Sequence, residues 1–260
     1  MQRLSIATKR GLRLAAELHS ADPKRLVVLA HGFTSDKSSE GRFDYIAGCL
    51  TRAGYSALAF DFSGCGASDD DALTAAKQID DLQAVLDHAE AAGYERVALW
   101  GNSLGCRICL QSWRPCVAAM VLTGAGPGPV HYRWAEHFTA AELRQLAETG
   151  RIEQRADLRP SGRMVIDGQM LRDFAEFDQP AILRRVRCPV LLINGDGDAE
   201  ERMLAEISKA ALGFLPPESR REIIPGAAHG FWRHLDRVVD LGLDWLGRYL
   251  PRQADRKPSR

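Results

Sequence analysis

The stretch RLVVLA (Arg25–Ala30) runs apolar to its end and is followed at once by a glycine turn, HGF. A run this short with no polar face suits a strand covered on both sides. The pattern recurs. YSALAFDFSGCG, RVALW, VAAMVLTGAG, CPVLLINGDGD and SRREIIPGAAHG each set a strand before a turn, and helical segments lie between them. Strands alternating with amphipathic helices predict an α/β fold, a mostly parallel central sheet with helices on both faces.

Other segments fit this frame. Leu4–Thr8 and Leu12–His19 flank the turn KRG and predict an opening hairpin. SSEGRFDYIAGCLTRAG places Phe43, Ile46, Ala47 and Leu50 on one helical face and stops at Gly54. Asp70–Ala92 and Phe231–Tyr249 read as further helices, the second ending before Pro251. Between about 127 and 180 the rhythm changes. Thr139 with Glu142 makes a capping-box pattern closed by Gly150, RMVIDG reads as a short strand, and GQMLRDFAEFD as a short helix. This insertion is expected to form a small cap over the carboxyl edge of the sheet, where ligands of such sheets bind. The expectation is one domain over 1–260 with a cap at about 127–180 and a disordered tail at about 252–260.

Composition narrows the partners. With 34 basic and 34 acidic residues, no overall field favours nucleic acid or anionic lipid. No run approaches the roughly 18 apolar residues of a membrane helix, and MQRLSIATKRGLRLAAELHS lacks a signal-peptide core, so a cytoplasmic location is expected. Oligomeric state is not legible. Cys106 and Cys109 form a C-x-x-C, but no second ligand pair at compact spacing accompanies it, so no metal site is expected. Buried reduced thiols are the reading for both.

The chemistry centres on Gly101-Asn102-Ser103-Leu104-Gly105, set between a strand and a helix. Such a turn exposes a serine hydroxyl, and the following helix aims free N–H groups at the reaction centre. A serine needs a general base oriented by a carboxylate. Asp196 and Asp198 follow one strand, His229 follows the next, and both loops are expected at the same sheet edge. The HGF turn after Arg25–Ala30 can supply the Phe33 N–H beside that of Leu104 as an oxyanion hole, with His31 bracing the loop. Tyr132, Trp134, Phe138, Phe174 and Phe177 are candidates for an apolar substrate pocket.

Taken together, HGFTSDKS (31–38), FDFSGCGASD (60–69), GNSLG (101–105), NGDGD (194–198) and GAAHGF (226–231) make the chain resemble an α/β-hydrolase over nearly its whole length. Within that superfamily it is similar to the serine aminopeptidase-like group that includes cinnamoyl esterases and monoacylglycerol lipases. The HGF and FDFSGCG segments are also similar to those of mitochondrial thioesterases and acyl-glucuronide esterases. The resemblance implies a Ser…Asp…His triad of Ser103, Asp198 and His229, with the acid third after the glycine and Asp196 capping the turn. It gives Asp61 the task of holding a loop. The valine–proline usual after the aspartate is replaced by AEERM.

The expected activity is hydrolysis of a small-molecule carboxylic ester or thioester through an acyl-enzyme, with no cofactor. Two alternatives share the triad, a carbon–carbon bond hydrolase and a peptidase. A third is a catalytically silent hydrolase-fold binding protein.

Overall fold

The structure, a computed structural model, describes residues 1–157 and 159–251. The chain runs β1 (Gln2–Ala7), β2 (Arg13–His19), β3 (Arg25–Ala30), α1 (Arg42–Arg52), β4 (Ser56–Phe60), β5 (Ala72–Leu73), α2 (Ala75–Ala91), β6 (Arg96–Asn102), α3 (Leu104–Gln111) and β7 (Val117–Thr123). It continues α4 (Ala140–Thr149), β8 (Arg151–Arg155), β9 (Arg163–Asp167), α5 (Gly168–Ala175), α6 (Gln179–Leu183), β10 (Val190–Gly195), α7 (Ala199–Ala211), β11 (Arg220–Ile224) and α8 (Leu235–Tyr249).

Eight strands form one sheet in the order β1-β2-β4-β3-β6-β7-β10-β11. β2 runs antiparallel to both β1 and β4, and the remaining pairs are parallel. All six residues of β3 are buried, as the apolar run Leu26–Ala30 requires, with Arg25 at its start reaching Asp22. Their alternation feeds two cores. Leu26 and Val28 join Leu82 and Leu86 of α2 and Ile108 of α3, while Val27 and Leu29 join Phe43 and Leu50 of α1 and Trp245 of α8. Cys106 and Cys109 are fully buried in the first of these, and burial pushes both thiols up in pKa.

The chain between β7 and β10 carries α4, α5, α6 and the β8–β9 hairpin, which joins β5 in a small separate sheet. Thr139 and Glu142 make the expected reciprocal cap of α4. Two boundaries differ from the sequence reading. α2 begins at Ala75 rather than Asp70, because Ala72–Leu73 pairs with β9 and the Thr74 side chain accepts the Lys77 N–H as N-cap. α8 begins at Leu235 rather than Phe231, because Phe231 takes a left-handed φ of 54° and closes a turn with His234. The tail expected at 252–260 lies outside the described residues.

α8 lies so close to β6 that a Cβ on Gly242 would come within 2.2 Å of the Trp100 ring. Gly242→Ala gains about 1 kcal/mol of helix propensity, but overpacking a filled core costs about 1–3 kcal/mol. We expect a lower thermal midpoint, by about 2–4 °C for each kcal/mol lost. A calorimetric midpoint unchanged or raised would show that this contact does not constrain the helix.

Candidate active site

Four strand ends converge on one place. β6 delivers Ser103, β3 delivers the Gly32–Phe33 turn, β10 leads into α7 and β11 leads into His229, all at the carboxyl edge. The strand order reverses direction between β3 and β6, the usual position of a crevice in such sheets.

Ser103 has φ 54° and ψ −118°, a conformation that costs about 1–3 kcal/mol unless its surroundings impose it. They do. The Ser103 N–H donates to the Thr123 carbonyl at 2.9 Å, and the Cys106 N–H donates to the Ser103 carbonyl at 3.0 Å. The flanking glycines are needed for close approach rather than flexibility. A Cβ on Gly105 would lie 2.1 Å from the Ala30 carbonyl oxygen, and one on Gly101 would lie 2.8 Å from the Cys106 nitrogen. The elbow therefore sits against β3, which brings the turn after β3 alongside it. Gly32 is close enough that its Cβ would be 3.4 Å from that of Ser103. Leu104 opens α3, so its N–H is one of those a helix leaves without an intrahelical acceptor.

His229 Nε2 lies 3.0 Å from Ser103 Oγ, and His229 Nδ1 lies 2.5 Å from Oε1 of Glu201. Glu201 is fully buried, and its second oxygen accepts the Gly195 N–H at 2.7 Å. With Nδ1–H donated to the carboxylate, the lone pair of Nε2 faces the serine hydroxyl. Burial pulls the His229 pKa down, but the Glu201 hydrogen bond and the charges of Glu200, Glu201 and Asp198 outweigh it, and the net shift is upward.

The carboxylate on the imidazole is thus Glu201, not the expected Asp198. Asp198 is the N-cap of α7. Its Oδ1 accepts the Glu201 N–H at 2.7 Å and its Oδ2 accepts the His229 backbone N–H at 2.8 Å. Both oxygens are committed to backbone, and burial, which raises the carboxyl pKa, is overcome by these two bonds so that it falls below its ordinary value. The cap starts the helix so that its third residue points inward, and that residue is Glu201. Asp196 accepts the Gly226 N–H at 2.6 Å, in keeping with the turn-capping role expected of it.

The bracing residues act as expected. His31, fully buried with its pKa lowered by that burial, donates from Nδ1 to the Gly32 carbonyl and accepts the Phe62 N–H at Nε2. Asp61 accepts from the Lys37 and Ala67 N–H groups and from Lys37 Nζ.

Ser103, Phe33 and His229 line a cleft of about 760 Å³, which the β8–β9 hairpin borders through Gln154, Arg155, Arg159 and Met164. The aromatic pocket expected from sequence is only partly there. Tyr132 and Phe174 border a much smaller recess beside Ser103, whereas Trp134, Phe138 and Phe177 line neither space. Trp134 packs on Phe138 and Phe174 at ring separations of 5.9 and 5.5 Å, and Phe177 lies under the Arg107 guanidinium at 4.3 Å. Trp134 and Phe138 thus pack on neighbouring rings, and Phe177 on a guanidinium, instead of lining the cleft.

The profile of the alpha/beta hydrolase family matches residues 27–241. The chain belongs to the alpha/beta hydrolase family. Over 85 residues it is 34% identical to an uncharacterized 31.7 kDa protein of the traX–finO intergenic region of Escherichia coli, covering 31% of this chain and 29% of that protein. Solved structures share the fold over almost the full length. A thermophilic esterase from Thermogutta terrifontis, with malate bound, is 20% identical at a TM-score of 0.69, covering 96% of this chain and 99% of its own. Est1E from Butyrivibrio proteoclasticus, with ferulic acid bound, is 22% identical at 0.71, covering 95% and 99%. Among the described residues no helix is long and apolar enough to cross a membrane.

The carboxylates around His229 set its titration. By NMR, the ring is expected to titrate above the ordinary 6.5, and Glu201→Gln is expected to lower the midpoint because the hydrogen-bonded charge is gone. An unmoved midpoint would mean that Glu201 does not hold the imidazole.

Proposed function

We propose that the chain is a serine hydrolase that cleaves carboxylic esters, and thioesters by the same route, through Ser103, His229 and Glu201. The observation that carries this reading is the continuous hydrogen-bonded line from Ser103 Oγ through both ring nitrogens to a buried carboxylate. The likeness to solved esterases of the same fold supports the ester as the bond cut.

In the first half-reaction His229 Nε2 takes the hydroxyl proton as Ser103 Oγ bonds to the acyl carbon. Charge collects on the former carbonyl oxygen, where the Phe33 and Leu104 N–H groups stabilise it. The bond from acyl carbon to alcohol oxygen then breaks, and the leaving oxygen takes its proton from Nε2. In the second half, His229 deprotonates water, the water oxygen bonds to the acyl carbon, and Oγ leaves with the returned proton. Glu201 holds the Nδ1–H tautomer and offsets the imidazolium charge throughout. Asp198 acts one step removed, as a positioning residue for both His229 and Glu201.

Wild-type protein is expected to react with a fluorophosphonate probe and Ser103→Ala is not. Equal labelling of the two would remove Ser103 as nucleophile. The two carboxylates separate by kinetics. Glu201→Ala is expected to lower kcat by roughly 10³–10⁴-fold with the fold intact. Asp198→Ala is expected to cost about 1 kcal/mol of stability as a lost cap and to reduce kcat far less. The opposite order of kcat losses would return the acid role to Asp198.

A further inference from the structure

Ser103 opens onto two very unequal spaces. Beside the cleft of about 760 Å³ lies a recess of about 10 Å³, enough for a single water-sized group. The recess is bounded by Val130, Tyr132, Phe174 and Leu204, with Arg107 behind them. Resting on the reading of Ser103 as nucleophile, we propose that the substrate is an acetyl-sized ester of a bulky, hydrophilic alcohol, its acyl methyl in the recess and its alcohol in the cleft.

Proton transfer decides which part goes where. The leaving oxygen must receive its proton from His229 Nε2, and His229 borders the cleft but not the recess. The alcohol therefore departs into the cleft, and the remaining substituent of the acyl carbon turns toward the recess.

The recess is also built to stay small. Tyr132 Oη donates to Glu200 at 2.8 Å, and the Val130 N–H donates to the Phe174 carbonyl at 2.8 Å. Arg107 is 4% exposed, and no carboxylate lies within ion-pair distance of it among the described residues. It instead donates to the carbonyls of Gly126 (3.1 Å), Gly128 (2.5 Å), Asp173 (2.9 Å) and Phe174 (3.0 Å). Those bonds tie the loop after β7 to α5, the two segments that carry Val130 and Phe174. Burial lowers its pKa to about 10, the charges of Tyr132 and Asp173 opposing this only in part, so the guanidinium stays charged at neutral pH and the clamp holds.

The cleft is far wider and carries charged and polar groups. Polar side chains of both charges border it, among them Thr34, Asp36, Arg42, Gln154, Arg155 and Asp157, beside the apolar Phe33 and Met164. Arg42 reaches the Gly230 carbonyl at 3.2 Å next to His229, and no carboxylate pairs with it among the described residues. The hydroxyl, amide, guanidinium and carboxylate groups among these residues offer both donors and acceptors to an alcohol with several hydroxyl groups, such as a sugar.

The test compares p-nitrophenyl acetate, butyrate and octanoate, which share a leaving group, and then 6-O-acetylglucose against ethyl acetate. kcat/KM is expected to fall at least about 100-fold from acetate to octanoate, and the acetylated sugar is expected to exceed ethyl acetate. Leu204→Ala, or Val130→Ala if the first does not fold, is expected to raise the butyrate-to-acetate ratio about tenfold. Turnover indifferent to acyl length, an unchanged ratio in a folded variant, or a preference for ethyl acetate would overturn this proposal alone. Absence of all ester turnover together with absence of fluorophosphonate labelling would overturn the nucleophile reading and this proposal with it.

Discussion

The close approach of α3 to β3 at Gly105 is the contact on which the site depends. With the Ala30 carbonyl only 2.1 Å from where a Cβ would stand, the helix can begin there only if residue 105 has no side chain. The helix must then start immediately after Ser103, which forces the serine into its positive-φ turn. The same approach sets the turn after β3 beside Ser103, with Gly32 close enough that a Cβ there would touch the Cβ of Ser103. The strain at Ser103 is a local cost of about 1–3 kcal/mol, and the packing of two buried strands and a helix is large enough to impose it.

A second constraint works through Asp198. One carboxylate caps α7 and holds the backbone of His229. It therefore couples the start of a helix to the position of an imidazole on a different loop. The first turn of α7 also concentrates Asp198, Glu200 and Glu201, where the positive end of the helix dipole favours negative charge. That arrangement lets Glu201 remain an acceptor although buried, with Gly195 and His229 supplying its two hydrogen bonds.

Strands were the legible part of this chain, because a parallel strand buried on both faces, such as β3 from Leu26 to Ala30, has to be almost continuously apolar. The placing of Ser103 and His229 at one site was legible for a related reason, since each follows a strand that ends in a turn at one edge. The carboxylate that meets the imidazole was not, because a rule that counts residues from a glycine cannot say which carboxylate has free lone pairs. The signal lay in DAEE itself. An Asp followed three residues later by Glu is a helix-start pattern, and an Asp whose oxygens cap a helix is not available to an imidazole. The late start of α2 has the same origin, with Thr74 as its cap. The aromatic residues were misplaced for another reason. Composition shows that Trp134, Phe138 and Phe177 will be buried, but not whether they bury one another or face a ligand.

Arg107 shows how the loop after β7 is made rigid despite its composition. GAGPGPV contains glycines and prolines that form no regular ladder, so its carbonyls have few backbone donors to meet. A buried carbonyl left unpaired costs about 1–3 kcal/mol. One guanidinium satisfies two of these carbonyls and two more at the end of α5, and its planar fork reaches both segments at once. Gly126 and Phe174 also accept the Gly128 and Val130 N–H groups, so the guanidinium adds a second bond to these two and meets the Gly128 and Asp173 carbonyls as well. The same four bonds keep the wall beside Ser103 in place, and they tie the shape of the small recess to a single residue one turn along the helix that follows Ser103.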